Sequence, residues 1–180
     1  MAFGKNGMDT LNSAILIALL FIAAWYDVRQ YCIPNALVLS GTIIGVSLNA
    51  LLPQDIGGLG ILTSLAGLGV GLVVLLPLYL LRAMGAGDIK LMAMIGAFAE
   101  PASMLSITLY VMLAGGVLAI LVVLSKGKLP KLMNNFKVML LAGPSAANLS
   151  TIDDLPESAG KLPYGVAIAI GTLVYLVTTP

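Results

Sequence analysis

Six apolar runs, separated by short charged or turn-forming stretches, leave this chain few ways to fold. They are Thr10–Tyr26, Ile33–Leu52, Ile61–Leu81, Ile89–Ala99, Ala102–Leu124 and Tyr164–Thr179. About 20 consecutive apolar residues let an α-helix cross the hydrocarbon core of a bilayer. In lipid no water bonds the backbone, so runs of this kind are read as helices that satisfy their own amides and carbonyls. Composition agrees. The chain is 59% hydrophobic and only 9% charged, with a mean hydropathy of +1.05, where soluble domains carry about 25% charged residues. The expected fold is an all-α integral membrane protein, a single domain over residues 1–180 with six transmembrane helices.

Individual segments carry finer expectations. Thr10–Tyr26 is close to the shortest length that spans; with Lys5 before it and Ala23-Ala24 near its end it also has the outline of a signal peptide, a reading disfavoured by Asp27 and the spans that follow. Pro34 suits the first turn of the second span. Gly67, Gly69 and Gly71 give the third span a face that a neighbouring helix can approach closely. Ile89–Ala99 has only eleven residues, so either it crosses, extended back through the glycine turn before it, or it dips in and returns. Cys32 reads as a small buried apolar residue.

Charge placement decides that case. If all six segments cross, Arg29, Arg82, Lys90, Lys126, Lys128, Lys131, Lys137 and Lys161 share one side and only Lys5 occupies the other, an 8:1 split. If Ile89–Ala99 turns back, the split is 3:6. The positive-inside rule selects the first. Both termini are then outside, and Asp27, Asp88 and the 125–163 loop face the cytoplasm across a multi-pass cytoplasmic membrane protein. Within that loop Leu129, Leu132, Met133, Phe136 and Leu140 recur at helical spacing among lysines, the pattern of an interfacial amphipathic helix on anionic lipid; a solvated loop with one amphipathic turn fits equally.

Several chemistries are excluded at once. The sequence has no histidine and one cysteine, which removes Ser-His-Asp and Cys-His catalysis and histidine or multi-cysteine metal sites. No metal or cofactor is expected. A net charge of +1 gives no bulk basic character, so nucleic acid is not an expected partner.

Two carboxylates remain in suggestive places. Asp88 lies in Met84-Gly85-Ala86-Gly87-Asp88-Ile89-Lys90, and Asp27 closes the first apolar run. Ionisable groups at a membrane segment are candidates for function. Two close carboxylates can share one proton, one taking a proton from water as the other gives one to a peptide carbonyl. Gly85 and Gly87 permit positive φ and a close substrate approach. Simpler structural roles compete: Asp88 as an N-cap, and Asp27 as an interfacial residue paired with Arg29. Arg29 and Lys90 flank the two acids and are candidate substrate or lipid contacts, with helix anchoring the favoured role. Asp153, Asp154 and Glu157 fall in the polar loop, and Asp55 and Glu100 on the opposite face.

Asp27 followed by Ile33-Pro34-Asn35, then Gly85-Ala86-Gly87-Asp88-Ile89-Lys90-Leu91, then Leu162-Pro163-Tyr164-Gly165 before the last span, resembles the type IV prepilin peptidases. Gly-x-Gly-Asp also occurs in presenilin-like and signal-peptide-peptidase-like proteases; the ordered set across six spans is more specific. The resemblance implies an aspartyl endopeptidase that removes a basic leader from a prepilin or pseudopilin with an apolar amino-terminal helix, with Asp27 and Asp88 catalytic and Gly85 and Gly87 shaping the site. Larger family members, which methylate the new amino terminus, carry an amino-terminal cytoplasmic region and, in it, paired Cys-x-x-Cys motifs. With neither, this chain resembles the short peptidase-only form of tight-adherence (Flp) systems, and methyltransferase activity is not expected; archaeal preflagellin peptidases are similarly short. The alternatives are a small proton- or cation-coupled transporter using the same aspartates, and a catalytically inactive assembly scaffold.

Overall fold

The computed structural model describes residues 10–52, 58–80, 84–125 and 164–179. The described residues form helices α1 (Thr10–Gln30), α2 (Asn35–Leu51), α3 (Ile61–Val74), α4 (Leu76–Leu80), α5 (Ala86–Phe98), α6 (Pro101–Ser125) and α7 (Tyr164–Thr178). Three stretches, Leu11–Gln30, Ile61–Leu80 and Pro101–Val122, are long and apolar enough to cross a membrane, and α2 and α7 are shorter apolar helices. Phe21, Trp25, Leu39, Ile43, Leu62, Leu109 and Leu113 are exposed, an apolar exterior suited to lipid rather than water. This is a membrane protein. The amphipathic stretch 129–140, the lysine-rich loop, Lys5, Arg82 and Asp55 lie outside the described residues.

Helix boundaries differ from the apolar runs in instructive ways. α1 continues through Gln30, so Asp27 sits within its last turn rather than after it. It stops at Tyr31, whose φ of 48° is the left-handed conformation of a C-terminal cap and whose amide donates to the Asp27 carbonyl at 2.9 Å. Pro34 is the residue before α2, at φ −61° and ψ 129°, instead of inside its first turn. The third run breaks at Leu75, where Pro77 lacks the amide that would bond the Val73 carbonyl. Cys32 is exposed, because it belongs to the turn between α1 and α2 and not to either helix.

Two compact units divide the chain, Met1–Gly115 with Pro163–Pro180, and Gly116–Leu162. Of the second, the described part is the end of α6, with Val117, Ile120, Leu121 and Leu124 exposed. The first is built around α5, which packs chiefly on α3 and α2 and also meets α1, α4 and α7. Its sequence AGDIKLMAMIGAF has no polar stripe, and a helix apolar all round belongs inside. From Asp88 to Phe98 only Lys90 is exposed. At about 1.5 Å per residue, its 13 residues make it shorter than a membrane is thick, and it runs from the end where α2 starts to the end where α2 finishes.

Small residues set how closely α5 is held. A Cβ on Gly67 would strike the carbonyls of Gly96 and Ala99, and one on Gly96 would strike the Gly67 carbonyl. The backbones of α3 and α5 therefore touch. Gly71 likewise faces the Met92 carbonyl, whereas a Cβ on Gly69 meets nothing within 4 Å. The expected three-glycine face is thus the Gly67 and Gly71 ridge, since Gly69 lies well off it at 100° per residue.

A polar knot closes the far end of α5. Asn49 donates to the carbonyls of Gly45 at 3.1 Å and Ala97 at 2.9 Å, and its Oδ1 accepts from Asn12 Nδ2 at 3.0 Å and the Leu59 amide at 3.2 Å. Ser64 donates to the same Ala97 carbonyl at 2.6 Å. Asn12, Asn49 and Ser64 are fully buried. One side chain thus ties α1, α2, α5 and the lead into α3.

Two outcomes follow. Gly67→Ala lowers thermal stability in detergent markedly, while Gly69→Ala leaves it within about 0.5 kcal/mol of the parent. Asn49→Ala costs about 1–3 kcal/mol, the range for stranding buried hydrogen-bonding partners, and a melting curve of the purified variant checks it.

Candidate functional site

Asp27 faces inward from the last turn of α1 with 6% of its surface exposed. Its Oδ2 accepts from the Gly165 amide at 2.7 Å, and the Val166 amide adds its field to the carboxylate. Those amides open α7, and the first amides of any helix lack an intrahelical acceptor and carry partial positive charge. A carboxylate 138 residues away in sequence therefore caps α7. Gly165 leaves the necessary room: a Cβ there would stand 2.8 Å from Oδ2 and 3.0 Å from both Cβ and Cγ of Asp27.

Asp88 is fixed by its own helix. α5 starts at Ala86, so Asp88 occupies its third position rather than the N-cap position of the competing structural reading. Its Oδ2 accepts from the Gly85 amide at 3.1 Å, while its own amide donates to the Gly85 carbonyl at 3.2 Å. This is one half of a capping box, the N3 carboxylate bonded to the N-cap amide; Gly85 has no side chain to supply the other half. Asp88 is buried, 8% of its surface exposed. Gly85 has φ −79° and ψ 155°, and among the described glycines positive φ belongs to Gly60; the expected left-handed turn at Gly85 and Gly87 is not used. Space is what these glycines provide. A Cβ on Gly85 would lie 3.3 Å from Asp88 Oδ2, a tight contact, and one on Gly87 would touch buried Ile33 at 3.6 Å.

The two acids lie at one end of the first unit, where α1 ends and α5 and α7 begin, with Asp27 within electrostatic reach of Asp88. Their basic neighbours turn elsewhere. Arg29 stacks on Trp25 of its own helix, its guanidinium carbon 4.4 Å from the ring centroid, a cation–π contact. Asp27 is thus paired with α7 instead of Arg29. Lys90 donates to Asn35 Oδ1 at 3.0 Å. Beside that pair an apolar groove of about 400 Å³ opens between α2, α3 and α5, lined by Leu39, Thr42, Leu68, Leu72 and Ala93 among others.

Gly165 and Val166 were not assigned roles from the sequence. The available signal was the place of Gly165 in Leu162-Pro163-Tyr164-Gly165 at the head of the last apolar run, and nothing local says what that amide faces.

The type IV leader peptidase family model matches residues 14–120, more than half of the chain and a stretch that contains both aspartates. The chain belongs to the type IV leader peptidase family. A curated relative, the prepilin leader peptidase/N-methyltransferase of Myxococcus xanthus (strain DK1622), is 29% identical over 127 residues, covering 67% of this chain and 37% of the relative. The chain therefore matches little more than a third of that relative's length. No solved structure matches. The family stretch takes in α2 to α5 whole and stops before α7, so the element that caps Asp27 comes from outside it.

Helix-end geometry separates two substitutions at Asp88. Asp88→Asn keeps an acceptor for the Gly85 amide and holds stability near the parent, while Asp88→Ala loses about 0.5–2 kcal/mol, as capping residues do; paired melting curves distinguish them.

Proposed function

We propose that this family member is an aspartyl endopeptidase that removes the basic leader of a prepilin or pseudopilin at the cytoplasmic face of the membrane. The observation that carries the reading is the burial of Asp27 and Asp88 at one end of the bundle. They are buried at the same end of the bundle and within each other's field, with each carboxylate accepting a backbone amide and, among the described residues, no ion pair. The 8:1 distribution of basic residues supports assigning that end to the cytoplasm and both termini to the outside.

The chemistry needs only the two acids and a water. One aspartate, ionised, takes a proton from the water as its oxygen bonds to the scissile carbonyl carbon; the other, protonated, gives its proton to the carbonyl oxygen. The resulting gem-diol collapses as the carbon–nitrogen bond breaks, the amine takes a proton from the first aspartate and a hydroxyl returns one to the second. The pair ends as it began. Neither Arg29 nor Lys90 enters these steps; both are assigned to helix anchoring at the lipid surface.

The apolar groove beside Lys90 supports a substrate with an apolar helix. A helix about 10 Å across fills a volume of 400 Å³ in about one turn. The groove thus seats the start of such a helix, with the rest lying along the lipid-facing bundle. The single cysteine of this chain supplies no Cys-x-x-Cys pair, so the proposal is for leader hydrolysis without methylation. Placing both acids at a helix end favours hydrolysis over a transport path, which needs polar groups through the membrane.

Co-expression with a tagged prepilin-like substrate tests the proposal. The parent cleaves just before the apolar helix, as read by amino-terminal sequencing. Asp27→Asn and Asp88→Asn, each still able to accept its backbone amide, insert normally and leave the substrate intact. Normal cleavage by an inserted Asn variant would remove that residue from the mechanism.

A further inference from the structure

Gly165 acts on Asp27 in two ways that a single residue rarely combines. Its amide donates to Oδ2 at 2.7 Å, and its missing side chain is the space that the carboxylate occupies. The hypothetical Cβ lies 3.0 Å from Asp27 Cβ as well as 2.8 Å from Oδ2. The contacts with Oδ2 and Cγ are relieved by a χ1 rotation that turns the carboxylate off the α7 amides, whereas the contact with Cβ, which the α1 backbone fixes, is relieved only by parting α1 from α7. The second response is opposed by the inward face of α7, where Ala167, Ile168, Ala169 and Thr172 are buried.

We infer that Gly165 is a positioning residue, which sets where the Asp27 carboxylate stands relative to Asp88. For its effect on cleavage the inference rests on the function proposed above; for the placement of Asp27 it stands on the contact alone. Two other glycines give the comparison its meaning. Gly171, on the same helix, meets the backbone of Tyr110 and Val111 in α6 and so serves packing far along α7 from the acids. Gly69 faces open space and serves neither.

The test combines kinetics with a chemical probe. Gly165→Ala is expected to lower kcat about a hundredfold, the cost of misplacing a reacting group by about 1 Å, with KM within about twofold because the methyl does not face the substrate groove. Gly171→Ala is expected to lower thermal stability with kcat per folded enzyme retained, and Gly69→Ala to change neither. Separately, Asp27→Cys in a Cys32→Ser background is alkylated by a maleimide slowly when residue 165 is glycine and faster when it is alanine. Parental kcat in Gly165→Ala, or equal alkylation rates, overturns the inference. If the parent cleaves no prepilin, the protease reading fails and the alkylation rates still decide the placement. Should Gly165→Ala insert poorly, adding Asp27→Gly restores the space and recovers insertion, the coupling expected of groups in contact; additive losses overturn the inference.

Discussion

A helix buried on every side must find protein partners for the amides and carbonyls at its ends, because lipid supplies none. α5 finds both. At its start the Asp88 carboxylate turns back to the Gly85 amide, and at its end Asn49 and Ser64 converge on the Ala97 carbonyl. Nearly every other feature of the first unit serves that helix. Gly67 and Gly71 bring α3 to within backbone contact of it, and α2 lays Val38, Gly41, Gly45 and Asn49 along it as a buried stripe. The far end is tied by neutral amides and a hydroxyl, and the near end by a carboxylate.

That difference matters for chemistry. Neutral groups could cap both ends, and a carboxylate in an apolar surrounding is costly to hold. The near end nevertheless carries two, Asp88 capping its own helix and Asp27 capping α7. Each backbone bond fixes a carboxylate oxygen, so the acids are placed by helix ends, the most rigidly directed donors a membrane helix offers. Preorganisation of this kind means that little reorientation is left for the reaction itself. It also makes stability and function share residues: the side chains proposed to activate water are the ones that finish two helices.

Particular residues explain what could be read beforehand. The runs of apolar residues located every described long helix, because lipid-facing segments are apolar all round and their lengths are set by the bilayer. Their ends were less legible. Helical hydrogen bonding extends through polar residues such as Asp27 and Gln30 as readily as through apolar ones, so α1 outlasts its hydrophobic run. Likewise Gly85 and Gly87 suggested a left-handed turn from residue type alone, whereas the backbone is ordinary and their small size is what the site requires. Asn49 passed unnoticed inside its span, although a lone amide in an apolar helix is a signal for interhelical bonding.

Sequence by itself therefore determined the medium, the number of apolar segments, and the two acids that stand out from them, because hydrophobicity and charge are properties of residues and act without knowledge of neighbours. Only the tertiary structure decided which backbone amides those acids meet, which two of three glycines in α3 touch α5, and that the amide of Gly165 closes on Asp27. Such choices depend on distances between residues far apart in the chain. They are made by packing, in which a single missing methyl at position 165 is the difference between a seat for a carboxylate and a clash.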